Sequence, residues 1–147
     1  MTQRFDYDLL VIGAGSGGVR AARKSAEFGA RVAVVEEAAL GGTCVNVGCI
    51  PKKLYVYASE FASAWREAKG FGWRSDGVSF DWDTLRDNKS KEIARLNAIY
   101  ERLLNAPGVD IITGHGTLTG PQSVLVNGHT YHAEKILLAT GTWPVSY

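Results

Sequence analysis

The pattern of apolar and polar positions at the start of the chain predicts a strand, a helix and a second strand. Residues 8–12 form a continuous apolar run bounded by glycine, which is typical of a buried parallel strand. Residues 16–28 are rich in alanine and arginine and end beside Gly29, so we expect a helix there. Residues 31–36 predict the second strand, joined to the first by a right-handed crossover.

The middle of the chain predicts two long helices. Helical spacing runs from residue 43 to about residue 68, and Pro51 is expected to kink this helix or to limit its first turns. Glycines then interrupt the pattern, and we expect residues 74–83 to be loop. Apolar side chains recur at three-to-four spacing over residues 84–105, which predicts a second helix with Asp83 as its N-terminal cap.

The last part of the chain predicts short strands. We expect residues 109–112 to form one strand, and residues 124–131 to form a hairpin whose Asn127-Gly128 pair suits a type I′ turn. Residues 135–139 predict a last buried strand, which ends at Thr140-Gly141. The predicted fold is therefore α/β and Rossmann-like, with a parallel sheet, flanking helices and a small antiparallel insertion.

Composition and charge narrow the class of protein. The 147 residues are expected to form one domain, and 16 Lys and Arg against 15 Asp and Glu give a net charge of +1, which does not favour a nucleic-acid partner. The longest apolar runs are too short to span a bilayer, and residues 1–4 lead into a strand without an apolar signal region. We therefore expect a cytoplasmic protein that binds neither membrane nor nucleic acid.

A glycine-rich turn follows the first predicted strand. Gly13, Gly15 and Gly18 fit the pattern G-x-G-x-x-G, and Glu36 ends the second predicted strand. In such a turn the pyrophosphate of a dinucleotide lies at the N-terminus of the helix that begins at Ser16, and the acidic residue accepts hydrogen bonds from the ribose. The pattern does not separate FAD from NAD, and glycines that serve only a tight turn remain an alternative. Glu36 argues against a 2′-phosphate at this site.

The two cysteines of the chain lie five positions apart, at Cys44 and Cys49. In a straight helix that spacing corresponds to a rise of about 7.5 Å, which is too long for a disulfide, so a bridge needs a distorted turn. Gly48 and Pro51 make such a distortion plausible, and Lys52 favours a thiolate. Two cysteines without nearby histidines make a poor zinc site. We therefore favour a redox-active pair over two buried free thiols.

Together these motifs resemble the FAD-dependent pyridine nucleotide–disulfide oxidoreductases. The resemblance rests on residues 13–18, Glu36, residues 41–53 and residues 139–141. Residues 95–100 and the Pro51-Lys52-Lys53 ending are most similar to the glutathione reductase branch. Dihydrolipoamide dehydrogenases usually have serine in place of Lys52, so that branch is the less similar alternative, together with enzymes like trypanothione or mercuric reductase.

The resemblance implies a set of cofactor and catalytic residues. Cys49 would lie beside the flavin ring, and Cys44 would be the more exposed thiolate, which attacks the substrate disulfide. Lys52 would lie near the flavin N5, with Lys53 as a near neighbour. The implied FAD contacts are Gly13, Gly15, Ser16, Gly17, Gly18, Glu36, Gly42, Thr43, Cys44, Lys52, His115, Gly116, Thr140 and Gly141.

The resemblance also implies glutathione disulfide as the substrate. Ser16 and Arg23 lie seven positions apart on one helical face and would contact it, since an arginine fork suits carboxylates. Tyr100 would gate the substrate entrance, although its position on an apolar stripe makes a core aromatic the alternative. His115, like the other two histidines, has no sequence neighbour that would make it a catalytic base.

The resemblance covers the whole chain, but only the N-terminal part of the family's enzymes. Those enzymes continue into an NADPH domain and a dimerisation domain, which are not expected within residues 1–147. Thr142 stands where a second glycine is common. Two hypotheses follow. The chain is the FAD-binding part of a homodimeric, NADPH-dependent glutathione-disulfide reductase and is inactive by itself, or it is a non-catalytic flavin- or nucleotide-binding module.

Overall fold

The computed structural model describes residues 5–143. The expectation that residues 1–4 carry no apolar signal region therefore lies outside the described residues. The strands are β1 (Tyr7–Ile12), β2 (Val32–Glu36), β3 (Asp110–Thr113), β4 (Thr117–Gly120), β5 (Ser123–Val126) and β6 (His129–Leu138). The helices are α1 (Ser16–Glu27), α2 (Gly42–Asn46), α3 (Cys49–Ala68) and α4 (Trp82–Asn105), with a 3₁₀ turn at Lys69–Phe71.

Six strands form one sheet in the order β3-β2-β1-β6-β5-β4. The first four run parallel, with Leu10 opposite both Ala33 of β2 and Ile136 of β6. β4, β5 and the start of β6 are antiparallel, and Val124 of β5 lies opposite Tyr131 of β6. The predicted α/β class, with a parallel sheet and an antiparallel insertion, is confirmed.

Each face of the parallel sheet carries its own apolar cluster, because side chains alternate along a strand. On one face, Val11 and Val34 pack with Val19 of α1 and Leu104 of α4. On the other face, the strand residues pack against β5 rather than against a helix; this second cluster contains Leu10, Ile12, Ala33, Val35, Val124, Val126 and Ala133. The sheet is therefore covered by helices on one side and by the antiparallel insertion on the other.

The end of the chain differs from the prediction in three ways. Strand β4 was not predicted, and it pairs with β5 in the antiparallel direction. The second hairpin strand and the separate strand over residues 135–139 are one continuous strand, β6, which pairs with β5 over its first part and with β1 over its second. This strand is not buried throughout, since Leu137 and Leu138 are 37% and 58% exposed. The predicted turn is confirmed: Asn127 and Gly128 both have positive φ, at 50° and 81°.

Two helix boundaries also differ from the prediction. The single helix expected after residue 42 is two helices, α2 and α3, which break at Val47 and Gly48 rather than at Pro51. Pro51 lies in the first turn of α3, where a missing N–H costs little. The N-terminal cap of α4 is Asp81 rather than Asp83, since an Asp81 carboxylate oxygen accepts the Asp83 N–H at 3.0 Å.

Close backbone contact fixes the start of α1 against the end of β1. A Cβ placed on Gly18 would lie 1.8 Å from the Gly13 carbonyl oxygen. Gly13 itself has a φ of +104°, and a Cβ there would lie 2.3 Å from the Ala139 carbonyl oxygen. The helix therefore packs on the turn at a distance that only glycine allows.

This contact makes a matched pair of substitutions informative. We expect Gly18→Ala to destabilise the chain by about 3 kcal/mol or more, because its new methyl group meets backbone that cannot rotate away. Gly17→Ala on the same helix turn meets no atom within 4 Å and should raise stability by up to about 1 kcal/mol. Urea unfolding followed by circular dichroism measures both, and equal stabilities would contradict the close-packing argument.

Candidate functional site

A cleft lies at the carboxyl ends of the parallel strands, the place where open α/β sheets bind ligands. It has a volume of about 520 Å³ and brings together several residues that the sequence assigned to a cofactor: Gly13, Gly15, Glu36, Gly42, Thr43, Thr140 and Gly141. A smaller adjoining cavity of about 100 Å³ adds His115 and Gly116. Cys44, Lys52, Ser16, Gly17 and Gly18 line neither cavity.

Two glycine loops meet at one side of this cleft. Gly15 is the N-cap of α1 and offers no side chain to cap it, so no side chain of the cap covers the N–H groups of the first turn. A Cβ on Gly42 would lie 2.7 Å from the Gly15 Cα, which brings the two backbones into contact. The Gly41 N–H donates to the Ala14 carbonyl at 2.8 Å and ties the loops together. This edge suits a ligand that carries phosphate.

The Glu36 carboxylate is held by backbone on both sides. One oxygen accepts the Ala14 N–H at 2.7 Å, and the other accepts the Ala38 N–H at 2.9 Å. Each carboxylate oxygen has capacity for a further hydrogen bond, so the group can still accept ribose hydroxyls from the cleft that it lines. Its orientation is set before any ligand arrives.

His115 has a partner that the sequence did not reveal. Its Nδ1 lies 2.6 Å from a carboxylate oxygen of Glu37, and both side chains are exposed at the rim of the smaller cavity. Because a carboxylate accepts hydrogen bonds and does not donate them, Nδ1 carries the hydrogen. Glu37 and His115 follow neighbouring strands, β2 and β3, whose carboxyl ends meet at one edge. The parallel pairing of β2 and β3 is the signal that could have predicted the contact between Glu37 and His115.

Cys44 and Cys49 form a disulfide, as predicted, with their Cα atoms 4.7 Å apart. Cys44 is the third residue of α2 and Cys49 is the first of α3, so the break between the two helices brings the sulfurs together. The break depends on close backbone contact, since a Cβ on Gly48 would lie 2.9 Å from the Thr43 carbonyl oxygen. The expected distortion of the turn is therefore present, and the lack of a side chain at Gly48 permits it.

The surroundings of the disulfide favour negative charge on Cys49 when the bridge is reduced. Cys49 opens a helix of 20 residues, whose N-terminus attracts anions, and Lys52 follows one turn later. Lys53 lies beside Tyr57, with its Nζ 5.3 Å from the ring centre, and this neighbour raises the pKa of Lys53 above its usual value. In the chain alone Cys49 is exposed and Cys44 is half-buried, the reverse of the expected order.

Two asparagines connect the disulfide region to α4, and the sequence did not single them out. The Asn97 side-chain amide donates to the Leu40 carbonyl at 2.7 Å and to the Asn46 side-chain oxygen at 3.0 Å. Asn46 in turn donates to the Gly42 and Leu40 carbonyls at 2.9 and 3.2 Å. No local pattern reveals this network, because its two asparagines are 51 positions apart.

The residues expected to contact substrate lie on α1 and α4, which pack against each other. Ser16 is exposed, and Arg23 is half-buried with its Nε 3.4 Å from a Glu27 carboxylate oxygen. Tyr100 is half-buried and packs against the apolar cluster under α1, as its core alternative requires. Its role as a gate stays a prediction.

Among residues 5–143, no helix has the length and apolar character needed to cross a membrane.

Comparisons with known proteins agree with the geometry. The chain is 50% identical over 143 residues to a glutathione reductase of Burkholderia cepacia, covering 97% of the chain and 32% of that protein. It is 43% identical over 141 residues to a glutathione reductase of Nostoc sp., covering 96% and 31%.

A plant protein gives a similar result. A glutathione reductase of Pisum sativum, described as chloroplastic/mitochondrial, is 44% identical over 153 residues, which cover 97% of the chain and 28% of that protein. The chain thus spans about a third of the length of these relatives. A family model described as pyridine nucleotide-disulphide oxidoreductase matches residues 7–147. The chain therefore belongs to the pyridine nucleotide-disulphide oxidoreductase family.

Proposed function

We propose that this chain is the FAD-binding, disulfide-bearing part of a glutathione-disulfide reductase. The observation that carries the proposal is the Cys44–Cys49 disulfide next to the glycine-lined cleft, since Thr43 lines the cleft and Cys44 follows it directly. The names of the relatives support glutathione disulfide as the substrate.

The residues present fit FAD. Where Gly15 and Gly42 meet, no side chain separates a pyrophosphate from the α1 N-terminus, and the fixed Glu36 carboxylate can accept the ribose hydroxyls. Gly116 and Thr140 line the adjoining cavity. When bound, FAD supplies transfer of two electrons between a nicotinamide donor, NADPH, and the protein disulfide. Lys52 would stabilise negative charge near the flavin.

The two cysteines carry the thiol chemistry. Two electrons and two protons convert the Cys44–Cys49 bridge into two thiols. The Cys44 thiolate then attacks one sulfur of glutathione disulfide, which forms a mixed disulfide and releases one glutathione. Attack by the Cys49 thiolate on the Cys44 sulfur restores the bridge and releases the second glutathione. Because Cys49 is the more exposed of the two residues in the chain alone, this assignment requires that the bound cofactor would cover Cys49.

Substrate contacts, assembly and location belong to the same proposal. Ser16 and Arg23 would contact glutathione disulfide from α1, and Tyr100 would gate its approach from α4. The whole enzyme would be a cytoplasmic homodimer, although the plant relative is described as chloroplastic/mitochondrial.

A second candidate is a flavin- or nucleotide-binding module without catalysis. The observation that favours it is the cleft itself, because its glycine loops and the Glu36 carboxylate suit a nucleotide with or without catalysis. The two candidates share the cleft and differ in whether electrons reach the disulfide.

Removal of the Glu36 carboxylate should weaken FAD binding. We expect Glu36→Ala to lower the affinity by about 1–3 kcal/mol, because the ribose loses a charged acceptor in the cleft. Quenching of flavin fluorescence during titration measures this. Glu60→Ala, at an exposed position on α3, is the control and should bind like the unaltered chain. Equal affinity for Glu36→Ala would refute the assignment of the cleft.

The disulfide should be reversibly reducible. We expect the air-oxidised chain to take up no alkylating reagent and the chain reduced with dithiothreitol to take up two equivalents, as counted by mass spectrometry. Cys44→Ser and Cys49→Ser should each take up one equivalent without reduction. Two adducts on the air-oxidised chain would contradict the disulfide and would indicate that the two cysteines only pack as free thiols.

Residues 1–147 assayed by themselves should not complete the reaction. The sequence offers one dinucleotide turn, and no histidine near the cysteines in sequence could protonate the leaving thiolate. We expect weak flavin binding at best and no oxidation of NADPH by glutathione disulfide with added FAD, followed by absorbance. Turnover close to that of a complete glutathione reductase would show that residues 1–147 contain the whole catalytic apparatus.

A further inference from the structure

We propose that Asn97 is a positioning residue for the Cys44–Cys49 disulfide and acts on it through Asn46. This inference rests on the proposed function, because it assumes that the bridge opens and closes in use. It adds to that function a specific link between α4 and residues 44–49, the turn that carries the disulfide.

The link consists of hydrogen bonds between half-buried groups. Asn97 reaches from α4 and donates to the Leu40 carbonyl at 2.7 Å and to the Asn46 side-chain oxygen at 3.0 Å. Asn46 donates to the Gly42 carbonyl at 2.9 Å, within its own helix, and to Leu40 at 3.2 Å. The Leu40 carbonyl therefore accepts from both asparagines, and the loop before α2 is tied to α4.

Asparagine suits both positions chemically. Position 97 must supply donors, because it faces two acceptor oxygens, on Leu40 and Asn46. Position 46 must both accept and donate, which an amide does and a carboxylate does not. An aspartate at position 97 would put carboxylate oxygens against those two acceptors.

The disulfide depends on this link through helix α2. A helix of five residues has little stability of its own, so contacts with the rest of the protein must hold it in place. Asn46 ends α2 two residues after Cys44, and the chain then breaks at Gly48 before Cys49. Anchoring Asn46 to α4 therefore keeps Cys44 at a Cα separation of 4.7 Å from Cys49.

Loss of the anchor should favour the dithiol over the disulfide. Once the bridge is reduced, a loosely held α2 lets Cys44 move away from Cys49, and the effective concentration of one thiol near the other falls. The bridged form, which is held covalently, gains less freedom. The balance of thiol–disulfide exchange therefore reports on the anchor directly.

The test measures exchange with dithiothreitol. Reduced dithiothreitol gives two electrons and two protons to the Cys44–Cys49 bridge and becomes the cyclic disulfide, so the equilibrium constant follows from thiol trapping at a series of reagent ratios. We expect Asn97→Ala to shift this constant toward the dithiol by about threefold to tenfold, and Asn97→Asp by more. Asn88→Ala and Asn88→Asp, at an exposed position of the same helix, are matched controls and should leave it unchanged.

The outcomes separate positioning from a general structural role. If Asn97→Ala lowers the unfolding temperature but leaves the exchange constant unchanged, the residue stabilises the fold only and the proposal is wrong. If positioning is right, Asn46→Ala combined with Asn97→Ala shifts the constant by less than the two single changes added together, since both act in one network. Asn97→Ser keeps a small donor and should shift the exchange constant less than Asn97→Ala does. It replaces Asn97→Ala in the test if the alanine variant does not fold.

The exchange assay contains no flavin, so it is independent of the cofactor proposal. If Asn97→Ala shifts the exchange constant in a chain that fails to bind FAD, the positioning role is supported and the cofactor proposal is wrong. If the constant is unchanged in a chain that binds FAD, the cofactor proposal is supported and the positioning role is wrong.

Discussion

The contact between Gly18 and the Gly13 carbonyl oxygen determines where the rest of the site can lie. A Cβ at position 18 would come within 1.8 Å of that oxygen, so α1 lies closer to the end of β1 than any other residue would permit. The N-terminus of α1 then opens toward the cleft. The loop before α2 is placed by the same turn, because the Gly41 N–H donates to Ala14. One backbone contact thus aligns both glycine loops.

The turn that carries the Cys44–Cys49 disulfide is built on that alignment by a second set of constraints. Gly48 allows α2 and α3 to break where the backbone passes close to Thr43, and the break brings two cysteines together that a straight helix would hold apart. Asn46 and Asn97 then join the turn to α4. The cleft and the disulfide are therefore neighbours for separate physical reasons, glycine packing for one and a helix break with amide hydrogen bonds for the other.

Local patterns predicted what local physics decides. The β1–α1–β2 unit, its glycine turn and the Asn127-Gly128 hairpin follow from periodicity and backbone preference within a few residues, and the structure confirms them. The sequence was less decisive where two similar residues compete, as Asp81 and Asp83 do for the cap of α4. It could not show β6 as one strand, because the change of partner from β5 to β1 depends on residues far apart. The Glu37 and Asn97 contacts were missed for the same reason.

The double membership of β6 has a consequence for the order in which the sheet forms. β1 lies between β2 and β6, and its register with β6 joins Leu9 to Lys135 across most of the chain. β2 is available soon after β1 emerges during synthesis, whereas β6 emerges only after α2, α3, α4 and three further strands. Long loop closure is entropically costly, so contacts of this separation form slowly. Until then the strand that carries the Gly13 turn has one neighbour only, and the cleft has no far wall.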